Sequence, residues 1–177
     1  WLDDRRYEIQ DGIHWNAFKR YLSLQISEIQ IRELDSSTDF ILGSIEDPER
    51  QGSWHSRGLV IGDVQSGKTT NFIGVLNKAI DTGYKVIVVL SGIHNSLRMQ
   101  TQKRFEEGIS GWNTSPQNIS EPYCGVALIQ NVHIERQRLR IGHLTTRENE
   151  GDFLGKSDPG LILGRDCLFS VNKKNFH

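Results

Sequence analysis

The sequence predicts an α/β fold with a doubly wound parallel sheet, incomplete within this chain, and a helical extension at the N-terminus. Three observations predict it. The first 50 residues show helical periodicity, a glycine-rich loop then lies between a short apolar run and a second helical pattern, and another apolar run follows. A strand, a loop, a helix and a strand in this order begin a parallel sheet with right-handed crossovers.

Residues 1–50 predict two or three short amphipathic helices. Apolar side chains recur there at intervals of three and four residues, as at Trp15, Phe18, Leu22, Ile26, Ile29, Leu34, Phe40, Ile41 and Ile45. The cluster Ser36-Ser37-Thr38 is predicted to start the last helix, because hydroxyl side chains cap helix N-termini. Asp47-Pro48 is predicted to end it, since the residue before a proline avoids helical geometry.

The segment from Gly62 to Thr69 has the spacing of a phosphate-binding loop, G-x-x-x-x-G-K-T. The preceding Leu59–Ile61 is apolar enough for a buried strand, and helical spacing begins at Thr69. Glycines let the backbone turn tightly, so that amide N–H groups converge on phosphate oxygens. The positive end of the following helix favours the same anion. The sequence therefore predicts a nucleotide-binding site.

Each side chain of this loop has a predicted role. Lys68 is the catalytic candidate, because its ammonium can reach the β- and γ-phosphates of ATP, and the Thr69 hydroxyl is placed to coordinate Mg²⁺. The candidate nucleotide-binding residues are Gly62, Gln65, Ser66, Gly67, Lys68, Thr69 and Thr70. This chemistry predicts a P-loop NTPase of the RecA-like type. Residues 1–50 are then an N-terminal helical region, and residues 51–177 are the N-terminal part of a P-loop ATPase domain.

A second strand and helix are predicted after the loop helix. Gly83 is the expected C-terminal cap of the loop helix, and Lys85–Leu90 is a β-branched run typical of a strand buried on both faces. Ligands of such sheets bind beyond the carboxyl ends of the strands, so Ser91–Asn95 is expected near the nucleotide or a second substrate. The amphipathic helix that follows is predicted from the spacing of Leu97, Thr101 and Phe105.

The C-terminal third carries a weaker signal. Gly125–Gln130 and Cys167–Val171 predict strands, and Arg136, Arg138 and Arg140 alternate as on a strand with one basic face. Such a row suits the phosphates of a nucleic acid, and it equally suits an edge strand that charge protects from aggregation.

The acidic strand with which a P-loop ATPase holds Mg²⁺ and orients water has no clear counterpart. Leu161–Asp166 is the nearest imitation, but Gly164 and Arg165 make it a poor one. We therefore expect the hydrolytic half to follow His177 in a longer protein, and the start on Trp1 instead of Met agrees with a fragment. The chain is expected to bind ATP better than it hydrolyses it.

Composition excludes several classes of protein. The formal charge of −1 over 177 residues gives no general attraction for DNA or for a membrane surface. No apolar run approaches the roughly 20 residues that span a bilayer, and the N-terminus lacks a signal-peptide pattern. Cys124 and Cys167 are far apart in the sequence, which predicts reduced thiols in a cytosolic protein.

Several stretches together resemble one known family. They are Arg57–Asn71, Gly83–Gln102, Ser36–Asp39, Asp47-Pro48, and Leu144–Asn149 with Asp152 and Phe153. These stretches are similar to the Z-one domain family, to which an endonuclease role is ascribed. The similarity covers most of the chain from about Trp15, and the combination of Val-Gln-Ser-Gly-Lys-Thr with Gly-Ile-His-Asn is specific.

The resemblance implies the core of a superfamily-two, helicase-like ATPase from bacterial proteins linked to restriction and anti-phage defence. By that comparison Gly62–Thr70 is the ATP loop, and Ser91–Gln102 is where such motors contact a nucleic-acid strand. Arg98, Gln100 and Gln102 are then the candidate contacts, and DNA is the expected partner of the longer protein. The acidic ATPase motif, the second motor lobe and the nuclease residues of the family have no matching positions, so no cutting residue is assigned.

Two other classes of function remain open. A GTPase is suggested by Asn172–Asn175, which nearly matches Asn-Lys-x-Asp, and by Asp152–Gly155, which fits Asp-x-x-Gly, but Asn175 replaces the acid that reads guanine. A non-catalytic nucleotide-sensing or oligomerisation module would use the N-terminal helices to bind a protein partner. Competition by GTP tests the first class, and an N-terminal deletion tests the second.

Overall fold

The structure is a computed structural model that describes residues 1–61, 67–115, 122–129, 141–148 and 167–173. Its described part has a mixed α/β fold that divides into two compact units, residues 1–84 and 85–177. The predicted loop helix therefore belongs to the same unit as the N-terminal helices. The predicted functional boundary at residue 50 stays a prediction. No helix among the described residues has the length and apolar content needed to cross a membrane.

The first unit is built from helices. Its described part contains α1 (Arg6–Gln10), α2 (Ile13–Ser23), α3 (Glu28–Gly43) and α4 (Lys68–Asp81). Three of these precede residue 50, but only α2 is a helix as predicted: α1 has no counterpart in the prediction, and α3 joins the two helices predicted before and after Ser36-Ser37-Thr38. Trp15, Phe18 and Leu22 are buried along α2, as their spacing predicts.

Helix α3 begins well before the predicted capping cluster. Ser27 is its N-cap: the Ser27 hydroxyl accepts from the Gln30 amide at 3.4 Å, and the Gln30 side chain accepts from the Ser27 amide at 3.0 Å. The prediction that Ser36–Thr38 starts the helix is wrong. Thr38 is buried in mid-helix, where its hydroxyl donates to the Leu34 carbonyl at 2.8 Å. The Ser27-x-x-Gln30 spacing is the signal that identifies the true start.

Helix α2 is capped by a residue of α4. Its own N-cap, Gly12, has no side chain, and the Asp81 carboxylate instead accepts from the amides of His14 at 3.0 Å and Trp15 at 2.8 Å. A Cβ at Gly12 would lie 2.3 Å from Asp81 Oδ2. The glycine therefore makes room for the carboxylate that ties the end of α4 to the start of α2.

Burial of His14 is expected to make the first unit sensitive to acid. Desolvation lowers the pKa of His14 from 6.5 to about 4, so the folded chain holds this imidazole neutral. Between these values the unfolded chain binds a proton that the folded chain does not. Stability is therefore complete above pH 6.5 and falls as the pH falls, by roughly 3 kcal/mol at pH 4.

Urea denaturation between about pH 7.5 and about pH 4.5 measures this loss. The His14→Phe variant removes the titrating group and should show a flatter dependence of unfolding free energy on pH. His55→Gln, which removes a histidine from an exposed position, serves as the matched control. A His14→Phe variant with the slope of the wild type would contradict the expectation.

Gly83 ends α4 as predicted. It has a φ of 104°, in the left-handed region, and its amide donates to the Ile80 carbonyl at 3.1 Å. The Tyr84 amide donates to the Ala79 carbonyl at 3.0 Å. This pair of bonds is a Schellman motif, which satisfies the last carbonyls of the helix.

The described residues of the second unit form a three-stranded parallel sheet. Its strands are β1 (Val86–Ser91), β2 (Ile141–His143) and β3 (Cys167–Lys173), in the order β1-β3-β2. Ile87 pairs with Phe169, and Ile141 pairs with Cys167. The strands predicted at Lys85–Leu90 and Cys167–Val171 are confirmed.

One face of this sheet is covered by α5 (Asn95–Phe105). The rings of Phe105 and Phe169 lie 4.8 Å apart, centroid to centroid. A π-helical turn, Glu106–Ser110, follows α5. Burial alternates along β1, with Ile87 and Val89 buried and Val86, Val88 and Leu90 exposed. The prediction that this strand is buried on both faces is therefore wrong.

Two predicted strands do not form. Leu59–Ile61 has no regular secondary structure, and Leu59 and Ile61 are 84% and 86% exposed. Apolar content alone does not make a strand, which also needs a paired neighbour. Gly125–Leu128 is a 3₁₀ turn, and its first residue must be glycine, because Gly125 has a φ of 49° and lies so close to the Glu107 carbonyl that a Cβ would not fit. The arginine row at 136–140 lies outside the described residues.

Candidate functional site

The candidate phosphate-binding site is described from Gly67 onward, and Gly62, Gln65 and Ser66 lie outside the described residues. Gly67 has φ 74° and ψ 16° and directly precedes α4. Among the described residues, no heavy atom lies within 4 Å of a Cβ built at this position. The left-handed backbone alone is a reason for glycine here.

The first turn of α4 carries Lys68, Thr69 and Thr70. Lys68 is exposed, and the two threonines are half-buried. The Asn71 amide donates to the Gly67 carbonyl at 3.0 Å, which closes this first turn. The amides before Asn71 have no carbonyl of α4 to bond, and the helix dipole adds positive potential at the same end. Helix α4 has 14 residues and so carries a developed dipole.

These groups fit the phosphates of a nucleotide with bound Mg²⁺. Phosphate oxygens accept hydrogen bonds from amide N–H groups and from an ammonium. A threonine hydroxyl can coordinate Mg²⁺. No group of three or more His, Cys, Asp or Glu side chains that could hold a metal lies together within the described ranges. Thr69, which the sequence predicts as the metal ligand, lies in the first turn of α4.

A buried lysine fixes the later part of α4. Lys78 is fully buried, and its Nζ lies 2.5 Å from a carboxylate oxygen of Asp35 and 2.5 Å from one of Asp39. The same Nζ donates to the Asp35 carbonyl at 2.8 Å and lies 4.3 Å from the centre of the Trp15 ring. These contacts join α4 to both α2 and α3.

An open groove of about 850 Å³ lies beside the first turn of α4. It is bounded by Asn71, by α3 side chains that include Phe40, and by the exposed Leu59–Ile61. Its apolar surface therefore includes the segment predicted as a buried strand. Nothing in the spacing of the sequence points to this groove.

The three candidate DNA contacts have different surroundings. Arg98 is fully buried and donates to the Thr146 carbonyl at 2.8 Å and to the Glu148 carbonyl. Gln102 is also fully buried, whereas Gln100 is exposed. Arg98 and Gln102 are thus engaged inside the second unit in this conformation, because each satisfies buried polar groups. Of the three, Gln100 is the side chain presented to solvent.

A buried polar network surrounds Gln102. Its Nε2 donates to Glu106 Oε1 at 3.0 Å and to His143 Nδ1 at 3.3 Å, and its Oε1 accepts from the Thr145 hydroxyl at 2.8 Å. The Thr145 hydroxyl in turn accepts from the Val171 amide at 2.9 Å, which leaves its proton for Gln102. The orientation of the Gln102 amide is assigned by these bonds. This network links α5, the π-helical turn, β2 and β3.

The same network assigns the tautomer of His143. Because Nδ1 accepts from Gln102, the proton of the neutral ring is on Nε2, which donates to Ser110 Oγ at 2.8 Å. A histidine with this tautomer cannot take the serine proton. The close Ser110–His143 pair is therefore a structural contact and not a nucleophile with its base.

Neither cysteine has the features of a reactive thiol. Neither Cys124 nor Cys167 forms a disulfide, and Cys167 is buried. Burial, with the nearby Glu106 carboxylate, raises the pKa of Cys124 to about 12. At neutral pH this thiol is protonated and is a poor nucleophile.

Comparison with family models, with curated proteins and with solved structures finds no match to this chain. The resemblance to the Z-one domain family accordingly stays an expectation.

Proposed function

We propose that this chain carries the ATP-binding loop of a P-loop ATPase and forms the N-terminal part of a helicase-like, DNA-directed motor. One observation carries the proposal. A left-handed Gly67 leads directly into the 14-residue α4, whose first turn holds Lys68 and Thr69, at the end of a G-x-x-x-x-G-K-T sequence. Backbone geometry and side-chain chemistry at this point both suit a phosphate.

Each group would contribute a separate part of ATP binding. The Lys68 ammonium would pair with the β- and γ-phosphates, and the amides of the first turn would donate to phosphate oxygens. The Thr69 hydroxyl would hold Mg²⁺, which neutralises phosphate charge when it is bound. The exposure of Lys68 supports this role, because a ligand can reach a side chain that faces solvent.

The sheet of the second unit agrees with the proposed fold. The parallel order β1-β3-β2 is compatible with a doubly wound, RecA-like sheet. DNA as a partner, and a coupled nuclease or restriction function, rest on the family resemblance alone. We expect ATP binding by this chain and DNA-stimulated hydrolysis in a longer protein that supplies the acidic ATPase motif.

Displacement of a fluorescent ATP analogue tests the nucleotide assignment. Unlabelled ATP should displace the analogue, and GTP should compete much more weakly, because Asn175 replaces the acid that reads guanine in Asn-Lys-x-Asp. Equal competition by GTP would favour the GTPase alternative. ATP binding that no single-stranded or double-stranded DNA affects, in this chain or a longer one, would favour a nucleotide-sensing module.

Replacing Thr69 with alanine should weaken ATP binding chiefly when Mg²⁺ is present. The variant loses one metal ligand, so we expect roughly a fivefold higher Kd in Mg²⁺ and little change in EDTA, where the hydroxyl has no metal to hold. Binding measured in both buffers provides the internal control. Equal losses with and without the metal would contradict the assigned role.

A further inference from the structure

The first turn of α4 is tied to the middle of α3 by side chains. Asn71 Nδ2 donates to Ser37 Oγ at 2.5 Å, and Ser37 Oγ donates to the Leu34 carbonyl at 3.1 Å. The Asn71 amide donates to the Gly67 carbonyl at 3.0 Å. Asn71 thus links the glycine that precedes α4 to a residue of the N-terminal helices.

This bond is the first of three contacts along one side of α4. A Cβ at Gly74 would lie 2.9 Å from Thr38 Cγ2, so the two helices approach closely there. Lys78 then pairs with Asp35 and Asp39. Positions 71, 74 and 78 recur at intervals of three and four residues and therefore share one face of the helix. Helix α3 supports α4 along that face.

We propose that Ser37 and Asn71 are positioning residues for the phosphate-binding turn, so that the N-terminal helices set the orientation of Gly67, Lys68 and Thr69. The inference rests on the proposed function. Lys78 and Asp81 anchor the C-terminal half of α4, whereas the first turn is where a helix frays. The bond from Asn71 to Ser37 restrains that turn before the ligand arrives. Restraint in the binding geometry lowers the entropy lost on binding.

Ser37→Ala and Asn71→Ala, alone and together, test the inference. Each single variant should raise the Kd for MgATP roughly fivefold, and the double variant should lose little more than either, because both remove the same bond. Ser37→Thr keeps the hydroxyl and should retain most of the affinity. Ser44→Ala is the matched control, because the hydroxyl of Ser44, the C-cap of α3, donates to the Phe40 carbonyl at 2.7 Å and does not reach α4. Alanine favours a helix, so Ser37→Ala is expected to fold.

Hydrogen exchange provides a second readout without nucleotide. In Ser37→Ala, amides at the start of α4 should exchange several-fold faster, whereas amides near Lys78 and Asp81 should be unchanged. Unchanged exchange at the first turn would overturn the inference, as would additive losses of affinity or a Ser37→Thr variant no better than alanine.

The two proposals fail in different ways. If Lys68→Ala abolishes ATP binding but Ser37→Ala and Asn71→Ala bind as the wild type does, the positioning role is wrong and the ATP loop stands. If the wild type binds no ATP, both the proposed function and the positioning role are wrong. This holds even if faster hydrogen exchange in Ser37→Ala shows that α3 restrains the turn.

Discussion

Replacing Lys68 with alanine is expected to raise the Kd for MgATP at least about tenfold, because a charged hydrogen bond to phosphate contributes roughly 1.5–3 kcal/mol. The side chain is exposed at the start of α4, so its removal should leave the fold intact. The urea midpoint should therefore be unchanged while affinity falls. Isothermal titration calorimetry with ATP and with a non-hydrolysable analogue measures the effect.

Lys103→Ala is the matched control for this experiment. Lys103 is exposed on α5, where it forms a 3.8 Å ion pair with Glu107. Its loss removes the same charge from the chain and should leave the Kd for ATP unchanged. If both alanine variants bind ATP as the wild type does, Lys68 has no phosphate contact and the loop is not a nucleotide site.

Replacing Lys78 with methionine is expected to lower the unfolding free energy of the first unit by about 3 kcal/mol. Methionine fills similar space but leaves the Asp35 and Asp39 carboxylates without their buried cation. Asp39 keeps its ion pair with Arg6 at 2.5 Å, and Asp35 is 41% exposed, so the cost should lie near the lower end for a broken buried pair. The contact of the ammonium with the Trp15 ring is also lost.

Urea denaturation followed by tryptophan fluorescence measures this change, since Trp15 lies against Lys78 and is buried. Lys103→Met is the control, because its exposed i,i+4 pair with Glu107 should contribute no more than about 0.5 kcal/mol. Equal midpoints for Lys78→Met and the wild type would show that the buried pairs do not hold α4 against α2 and α3.

The sequence correctly predicts those helices and strands whose residues are favoured by short-range interactions within one segment. Helix α4 follows from its periodicity, and Gly83 ends it because a left-handed residue is needed there. Strand β1 follows from a β-branched run, and α2 buries the residues that its spacing selects. In each case one short segment contains the information.

The errors occur where the outcome depends on distant partners. Leu59–Ile61 has the composition of a strand, but strand formation needs a neighbouring chain that composition does not specify. The Ser36–Thr38 cluster resembles a cap, but Ser27 starts α3 with a complete capping box, so the cluster lies within the helix. Leu59–Ile61 lacks a paired strand within the described part of the chain, and α3 already starts at Ser27, so the local pattern does not decide the structure of either segment.

The candidate site was predicted in part for the same reason. The G-x-x-x-x-G-K-T spacing predicts Lys68 and Thr69 as site residues, and both lie in the first turn of α4. The family resemblance implies Arg98 and Gln102 as DNA contacts. In the structure, Gln102 accepts a hydrogen bond from the Thr145 hydroxyl and Arg98 donates one to the Thr146 carbonyl. These partners are distant in the sequence, so no local motif predicts them. The bond from Asn71 to Ser37 is equally non-local.

Calorimetric titration of MgATP into the folded chain tests the central claim most directly. The titration is repeated at a second temperature, because the binding enthalpy can be close to zero at one temperature and would then hide binding. We expect saturable binding of one nucleotide per chain, lost in Lys68→Ala. The absence of binding at both temperatures, in a chain that unfolds cooperatively in urea, would contradict the assignment of Gly67, Lys68 and Thr69 to an ATP site.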